Sequence, residues 1–175
     1  MKKMLLGCGV LAALLLVYTA VQTAAQGAHP SSCGSSAYRQ FDFWVGNWNV
    51  KSRENGRLVG TNIVTKELGG CVVMEHWNGA RGGRGYSFNM YDAPTKSWHQ
   101  TWVDNTGGLL LLKGGLRNGS MVLQGTMQGA KNTVTLHRIV WTPQRNGAVR
   151  QHWTASMNGG RTWQDQFDGI YQRKR

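Results

Sequence analysis

Turn-forming residues recur along the chain at short, regular intervals, and this spacing limits the folds that the chain can adopt. Asn55-Gly56, Asn118-Gly119 and Asn146-Gly147 suit tight hairpins, because Asn and Gly tolerate a positive φ. Asp92-Ala93-Pro94 and Asn158-Gly159-Gly160 mark further turns. Between the turns, polar and apolar residues alternate, and no helical period persists for more than about two turns. The pattern therefore predicts an all-β domain.

The segments between these turns predict strands that are joined in sequence by hairpins. We expect strands near residues 43–53, 57–67, 71–78, 84–91, 97–104, 109–114, 119–126, 132–142, 147–156 and 162–172. A meander of this length leaves unpaired edges unless its first and last strands meet. We therefore predict a closed antiparallel up-and-down β-barrel of about ten strands. A two-sheet sandwich is the alternative.

The N-terminal segment has the parts of a cleavable export signal. Lys2 and Lys3 form a charged start, and an apolar stretch runs from Met4 to Val17. Small residues follow at Thr23-Ala24-Ala25, as a signal peptidase requires. A membrane anchor is the alternative, but the apolar run is shorter than about 18 residues. The predicted location is therefore the periplasm or the extracellular space, with no membrane span after cleavage.

Three regions follow from this interpretation. They are a signal peptide over residues 1–25, an N-terminal tail over 26–37 and a barrel domain over 38–173. The formal net charge of +12 falls to about +10 when the signal is removed. The remaining basic residues are scattered, which does not favour nucleic-acid recognition. The sequence leaves the oligomeric state open.

Cleavage also changes the number of cysteines. It would remove Cys8 and leave Cys33 and Cys71. An even pair in an oxidising compartment usually forms a disulfide. We therefore predict a Cys33–Cys71 bond that ties the N-terminal tail to a strand.

Strand alternation predicts which side chains face the barrel interior. The expected inward set is aromatic, but it also contains polar and charged groups. Those groups could line a ligand cavity or form a closed hydrogen-bond network that packs the core. The candidate cavity residues are Glu75, Trp77, Tyr86, Gln100, Trp102, Arg138, Gln151, Trp153 and Asp165.

The segment Phe41-Asp42-Phe43-Trp44-Val45-Gly46-Asn47-Trp48 carries Gly-x-Trp at the start of the first predicted strand. It resembles the opening signature of the calycins, the group that holds lipocalins, fatty-acid-binding proteins and avidins. The chain is also similar to secreted bacterial calycin-like proteins of a domain-of-unknown-function class, over about residues 38–173. That similarity rests on Gly70-Cys71-Val72, Trp98-His99-Gln100-Thr101-Trp102-Val103-Asp104, Trp141-Thr142-Pro143 and Phe167-Asp168-Gly169-Ile170-Tyr171. The resemblance implies a barrel, export, no assigned activity and a barrel floor formed by Trp48.

Sequence motifs for catalysis and cofactor binding are absent. The histidines lack metal-ligand spacing, and phosphate loops, dinucleotide-binding glycine patterns and nucleophile elbows do not occur. We predict no catalytic residue, no metal site and no cofactor. Two alternatives remain open. Glu75 with Asp104 or Asp165 could form a glycosidase-type pair, and His137 could hold haem by analogy between folds.

Hairpin loops of an up-and-down barrel alternate between its two ends. Pro94 and Pro143 lie in turns at one end, which suits a closed end. We expect the cavity to open at the other end, among longer glycine-rich loops, where binding sites are common. The predicted basic rim there consists of Arg81, Arg84, Lys131 and Arg161. We expect this rim to favour anionic ligands or acidic envelope surfaces; the alternative is that arginine only keeps flexible loops soluble. The predicted function is binding of a small, partly apolar ligand. The alternatives are a filled structural or stress-related envelope protein, and an enzyme or haem protein.

Overall fold

The computed structural model describes residues 33–129 and 133–175. Within these ranges the chain forms short 3-10 helices at Ser36–Arg39, Asp42–Trp44 and Leu68–Gly70. The strands are β1 (Gly46–Ser52), β2 (Leu58–Glu67), β3 (Val72–Gly79), β4 (Arg84–Asp92), β5 (Ser97–Asp104), β6 (Leu109–Arg117), β7 (Ser120–Gln128), β8 (Val134–Pro143), β9 (Val149–Ser156) and β10 (Gln164–Arg173). The predicted signal peptide and Lys131 lie outside the described residues.

Each strand pairs antiparallel with its neighbours in sequence, and β1 pairs with β10 to close the barrel. In that closing ladder Trp48 lies opposite Arg173, and Ser52 lies opposite Gly169. The prediction of a closed antiparallel ten-stranded barrel is confirmed. The strand bounds fall within three residues of those expected from the turn signals.

The predicted disulfide is also confirmed. Cys33 is bonded to Cys71, and their Cα atoms are 5.0 Å apart. Cys71 directly precedes β3. The bond therefore ties the segment before the first 3-10 helix to a strand of the barrel.

Aromatic side chains fill one end of the barrel. The 3-10 helices before β1 place Phe41 and Trp44 there, with their ring centroids 4.9 Å apart. Phe41 also contacts the rings of Trp98 and Trp141 edge-on. Trp98 follows the Pro94 turn and Trp141 precedes Pro143, so this filled end, which we call the closed end, carries both proline turns.

Strand β4 presents its polar residues to the interior, which corrects the expectation for Tyr86. Ser87 and Asn89 are fully buried, whereas Tyr86, Phe88 and Met90 are about half exposed on the outer face. The cause lies in the neighbouring strands, because Ser87 pairs with inward-facing Glu75 and Asn89 pairs with inward-facing Gln100. Polar groups that hydrogen-bond one another can be buried together, and hydropathy alternation alone does not reveal that.

Two further expectations about the interior are wrong. A β-bulge between Asp165 and Phe167 inserts one residue into β10 and reverses the alternation before it. The Asp165 side chain is therefore 68% exposed and pairs with His152 on the outer surface. Arg138 lies between inward-facing His137 and Ile139, so it points outward, and its guanidinium stacks over the Trp163 ring at 4.4 Å.

Candidate functional site: a cavity in the open half of the barrel

A cavity of about 120 Å³ lies inside the barrel, away from the closed end. It is lined by Glu75, Trp77, Gln100, Trp102, Leu110, Ile139, Gln151, Trp153, Phe167 and Tyr171. Trp77 and Trp102 stand near the last residues of β3 and β5, beside the glycine-rich loops. Their rings and those of Trp153 and Phe167 are only partly buried, so the cavity reaches solvent at this end, which we call the open end. The sequence predicts the cavity mouth at the same end.

The structure brings together six of the nine candidate cavity residues from the sequence. Glu75, Trp77, Gln100, Trp102, Gln151 and Trp153 all line the cavity. Tyr86, Arg138 and Asp165 lie on the outer surface, as described above. Leu110 and Ile139 were missed, although alternation along β6 and β8 places them inward with buried Leu112 and Trp141.

Buried polar side chains lie at the inner end of the cavity, with Glu75 at their centre. We call this group the polar floor, and it is distinct from the barrel floor expected at Trp48. Its members are Asn62, Glu75, Ser87, Asn89, Gln100, Gln151 and the Tyr171 hydroxyl. Glu75 itself is 3% exposed. One carboxylate oxygen accepts a hydrogen bond from Asn62 Nδ2 at 2.6 Å, and the other accepts one from Ser87 Oγ at 2.7 Å. Both donors are neutral. The carboxylate is therefore held in place without a cationic partner among the described residues.

The hydrogen-bond network continues around Glu75 across the middle of the barrel. Gln100 Nε2 donates to Asn89 Oδ1 at 2.8 Å, and Asn89 Nδ2 donates to Ser87 Oγ at 2.9 Å. On the opposite side, the Tyr171 hydroxyl donates to Gln151 Oε1. Several polar groups of the floor are thus already paired, which fixes their orientation toward the cavity.

Burial is the main influence on the pKa values of Glu75 and Tyr171 in the polar floor. It raises the pKa of Glu75 from 4.5 to about 7, and the hydrogen bonds from Ser87 and Asn62 offset only part of that shift. Burial, together with the nearby Glu75 carboxylate, also raises the pKa of Tyr171 well above its usual range. Near neutral pH the floor therefore carries a carboxyl that gains or loses its proton readily, beside a neutral phenol.

Aromatic rings of the wall lie against glycines. A Cβ atom at Gly60 would come within 2.5 Å of the Trp77 ring, and one at Gly85 would overlap the Trp102 ring. A Cβ at Gly169 would come within 2.5 Å of the Phe167 ring. Real Cβ contacts are not this short. Because glycine has no side chain, each of these rings can lie against the barrel wall and leave the interior open.

Two of the wall indoles are also held by hydrogen bonds. Trp102 Nε1 donates to Asp104 Oδ2 at 3.3 Å, and Trp153 Nε1 donates to His137 Nδ1 at 3.0 Å. Asp104 accepts further bonds from the Thr106 hydroxyl and from the backbone N–H groups of Thr106 and Gly108, which lower its pKa to about 2. The Asp104 turn therefore fixes both the loop and the Trp102 ring.

The sequence alternatives for catalysis do not come together in the cavity. Glu75 is the one carboxylate among the residues that line it. Asp104 is engaged in the turn described above, and Asp165 lies outside the barrel. The cavity therefore does not contain the glycosidase-type pair, because neither Asp104 nor Asp165 lines it together with Glu75.

His137 faces the interior but does not fit the haem alternative. Its ring is 7% exposed, burial lowers its pKa, and its Nε2 atom has no partner in the part of the chain that the structure describes. However, it is not among the lining residues. The cavity of about 120 Å³ is also smaller than the ~300–1,000 Å³ of sites for drug-sized ligands, and haem is at least as large as those ligands.

One group of side chains on the outer surface has the spacing of metal ligands. Ligand atoms of His152, Asp165 and Asp168 lie within 4.8 Å of one another. Both carboxylate oxygens of Asp168 already accept bonds from the Arg150 guanidinium at 2.8 Å. Arg53 approaches the same carboxylate. These positive charges make the group an ion-pair network rather than a cation site.

The open end carries basic side chains. Arg81 and Arg84 flank the turn between β3 and β4, and both are exposed. Arg161, in the loop before β10, is also exposed, and its Nε donates to the Asn158 carbonyl at 3.1 Å. These three arginines lie in loops at the open end, and none of them is among the residues that line the cavity.

Comparisons with known proteins add no family to this description. No family model matches the chain, and no curated protein matches its sequence. Across residues 33–129 and 133–175, no helix is long and apolar enough to cross a membrane. The fold and the cavity therefore define the class: a disulfide-bonded ten-stranded antiparallel barrel, filled at one end and hollow toward the other.

Proposed function

We propose that the chain is an exported, calycin-like barrel protein that binds a small, partly apolar ligand in this cavity. The observation that carries the proposal is the arrangement of wall rings on glycines, which leaves a hollow above a polar floor. Rigid aromatic walls with a few fixed polar groups are typical of small-molecule sites. The Gly-x-Trp motif at Gly46–Trp48 supports the calycin interpretation, and the N-terminal pattern together with the disulfide supports export.

The cavity volume limits the size of the ligand. An engineered cavity of about 150 Å³ in an unrelated protein binds benzene. A hollow of about 120 Å³ is close to that size. The buried part of the ligand is therefore about one six-membered ring, and any larger portion extends through the open end.

The wall glycines favour a binding protein over a filled structural barrel. A glycine in a strand interior is less favourable than alanine by roughly 0.5–1 kcal/mol. At Gly60, Gly85 and Gly169 this loss is accompanied by close approach of the Trp77, Trp102 and Phe167 rings to the glycines. A barrel whose interior was selected only for packing would fill the hollow with side chains to the density of a protein core.

Benzyl alcohol is a suitable probe, because it combines one ring with one polar group. We expect saturable binding with one site per chain, measured by tryptophan fluorescence and calorimetry. Gly169→Ala should weaken that binding at least about tenfold, because Phe167 must leave its place over Gly169 and move into the hollow. The Cβ at this position meets only side-chain atoms, so the backbone can stay in place.

Gly115→Ala is the matched control. Gly115 also lies in a strand, and a Cβ there would meet no atom within 4 Å. It should leave benzyl alcohol binding unchanged. A wild-type protein that binds none of a set of single-ring probes would contradict the proposal and favour the structural barrel.

A further inference from the structure

We propose that the cavity selects a small organic cation, whose ammonium group lies beside the Glu75 carboxylate while its apolar part contacts the tryptophan wall. The inference rests on the proposed function and names the ligand class for the same site. It requires a negative charge without a cation of its own, walls that attract cations, and space for the ligand.

The charge balance of the cavity is incomplete. Glu75 is the one acidic residue among the ten that line it, and none of the ten is lysine, arginine or histidine. Its two hydrogen-bond donors, Asn62 and Ser87, are neutral. A buried carboxylate is unfavourable unless it is paired. An ammonium group of a ligand would supply the missing partner through charge-assisted hydrogen bonds.

The wall above the carboxylate consists of side chains that attract cations. Trp77, Trp102 and Trp153 present indole rings to the cavity, and Phe167 adds a phenyl ring. The faces of such rings carry partial negative charge, and tryptophan is the strongest of them in cation–π interactions. Aromatic cages of this kind recognise ammonium ligands in other proteins. An anionic ligand would be repelled by the Glu75 carboxylate.

Binding of a cation should depend on pH in a characteristic way, because it is linked to the ionisation of Glu75. The groups that face the Glu75 carboxyl are Asn62 on β2, Ser87 on β4 and Tyr171 on β10. Only Tyr171 among these three can titrate, and it stays neutral because its pKa is raised. Glu75 itself has a pKa raised to about 7 by burial. Binding of a cation therefore favours the ionised carboxylate and weakens as the pH falls below neutral.

The arginines of the rim do not prevent this selection. Arg81, Arg84 and Arg161 are exposed to solvent, and charges in solvent are largely screened beyond ~8 Å at physiological salt. The Glu75 carboxylate acts at contact distance, and the residue is only 3% exposed, so its attraction for a cation is screened less than that of a surface charge. The rim therefore affects the approach of a cation, whereas Glu75 determines the affinity of the bound state.

Three single-ring probes of similar size but different charge separate the possibilities. Benzylamine is a cation near neutral pH, benzyl alcohol is neutral and benzoate is an anion. At about pH 8 we expect benzylamine to bind at least about tenfold more tightly than benzyl alcohol, and benzoate to bind most weakly. The preference for benzylamine should decrease as the pH is lowered to about 5.5, where Glu75 is protonated.

Variants identify the carboxylate that is responsible. Glu75→Gln should lower the ratio of benzylamine to benzyl alcohol affinity at least about fivefold at pH 8. Asp165→Asn removes an acid of the same chain from the outer surface, and it should leave that ratio unchanged. If Glu75→Gln does not fold, the pH series on the wild-type protein tests the same claim.

The outcomes distinguish this inference from the proposed function. If benzyl alcohol binds and benzylamine binds no more tightly at any pH, the cation inference is overturned while the binding function stands. The inference is also overturned if the preference is independent of pH or is equal in the Glu75→Gln variant. If none of the three probes binds, both proposals fail together.

Discussion

The two halves of the barrel use the same residue type in opposite ways. Tryptophans of the closed half are at most 1% exposed, and those of the open half are only partly buried. The closed set is Trp44, Trp48, Trp98 and Trp141, and the open set, which lines the cavity, is Trp77, Trp102 and Trp153. A large aromatic side chain can therefore fill a barrel or form the wall of a hollow within one domain.

The surroundings of the rings cause this difference. In the closed half the rings pack on one another, and Phe41 contacts Phe43, Trp44, Trp98 and Trp141. In the open half the rings of Trp77 and Trp102 lie on glycines. Hydrogen bonding of the indole nitrogens does not separate the halves, because Trp48 and Trp98 of the closed half also donate to oxygen acceptors. The difference is therefore one of packing: ring on ring at the closed end, and ring on glycine at the open end.

Tyr171 marks the boundary between the two halves. Its ring lies 6.2 Å from the rings of Trp44 and Trp48 at the closed end. Its hydroxyl donates to Gln151 in the polar floor. One residue therefore joins the packed half to the cavity, and changes on either side of it should have different consequences.

The largest difference should appear when one tryptophan of each half is truncated. Trp48→Ala should lower the free energy of unfolding by about 3–5 kcal/mol, because the closed half cannot fill the resulting hole. Trp102→Ala should cost less than about 2 kcal/mol, because its ring is already partly exposed. Urea denaturation of both variants measures the difference. Equal losses would show that the open half is packed as tightly as the closed half.

The disulfide lies at the closed end, outside the cavity. It closes a loop of 38 residues, and the entropy of that loop in the unfolded chain corresponds to about 3–4 kcal/mol. Replacing both cysteines with serine should lower the free energy of unfolding by that amount but leave benzyl alcohol affinity within about twofold in the folded protein. A large loss of affinity without unfolding would show that the two halves are coupled.

Glu75, in the floor of the open half, should make the stability of the protein depend on pH. Burial raises its pKa from 4.5 to about 7, so the folded protein holds this proton more tightly than the unfolded chain. The resulting stabilisation is complete below about pH 4.5 and is lost as the pH rises through about 7. The shift corresponds to about 3 kcal/mol.

Comparison with Glu75→Gln isolates this contribution. The difference in free energy of unfolding between wild type and variant should change by that amount between about pH 4.5 and pH 8. His137, whose buried ring has a lowered pKa, acts in the opposite direction, but it is present in both proteins and cancels. Parallel pH profiles for the two proteins would show that the carboxyl is not desolvated.

The sequence predicts the positions of the strands more reliably than it predicts which side chains point into the barrel. The Asn-Gly turns, such as Asn55-Gly56 and Asn118-Gly119, determine where strands end, since their chemistry is local. Closure of the barrel followed from the need to pair the edges of a long meander. Alternation also placed Glu75 and Gln100 inward, because both share a face with tryptophans.

The wrong predictions concern residues whose inward or outward orientation is determined by a neighbouring strand. Tyr86 was expected inside because it is aromatic, but Glu75 requires Ser87 as a hydrogen-bond donor on that face. Asp165 was expected inside because the bulge before Phe167 leaves no mark in the alternation. Pairings between strands are set by contacts that are distant in sequence, so a single segment does not contain them.

The smallest expected effect concerns the basic rim, which lies only at the open end. Arg81→Ala combined with Arg84→Ala should raise the association rate of benzylamine by up to about twofold at low salt, because two like charges near the mouth are removed. The difference should vanish near 1 M salt, where charges are screened within ~3 Å. Arg117→Ala is the matched control, since Arg117 is exposed at the opposite end of the barrel. Stopped-flow tryptophan fluorescence follows the rates. If the double variant and the control behave alike at low salt, the rim arginines have no effect on ligand approach, and the two ends differ only in their interiors.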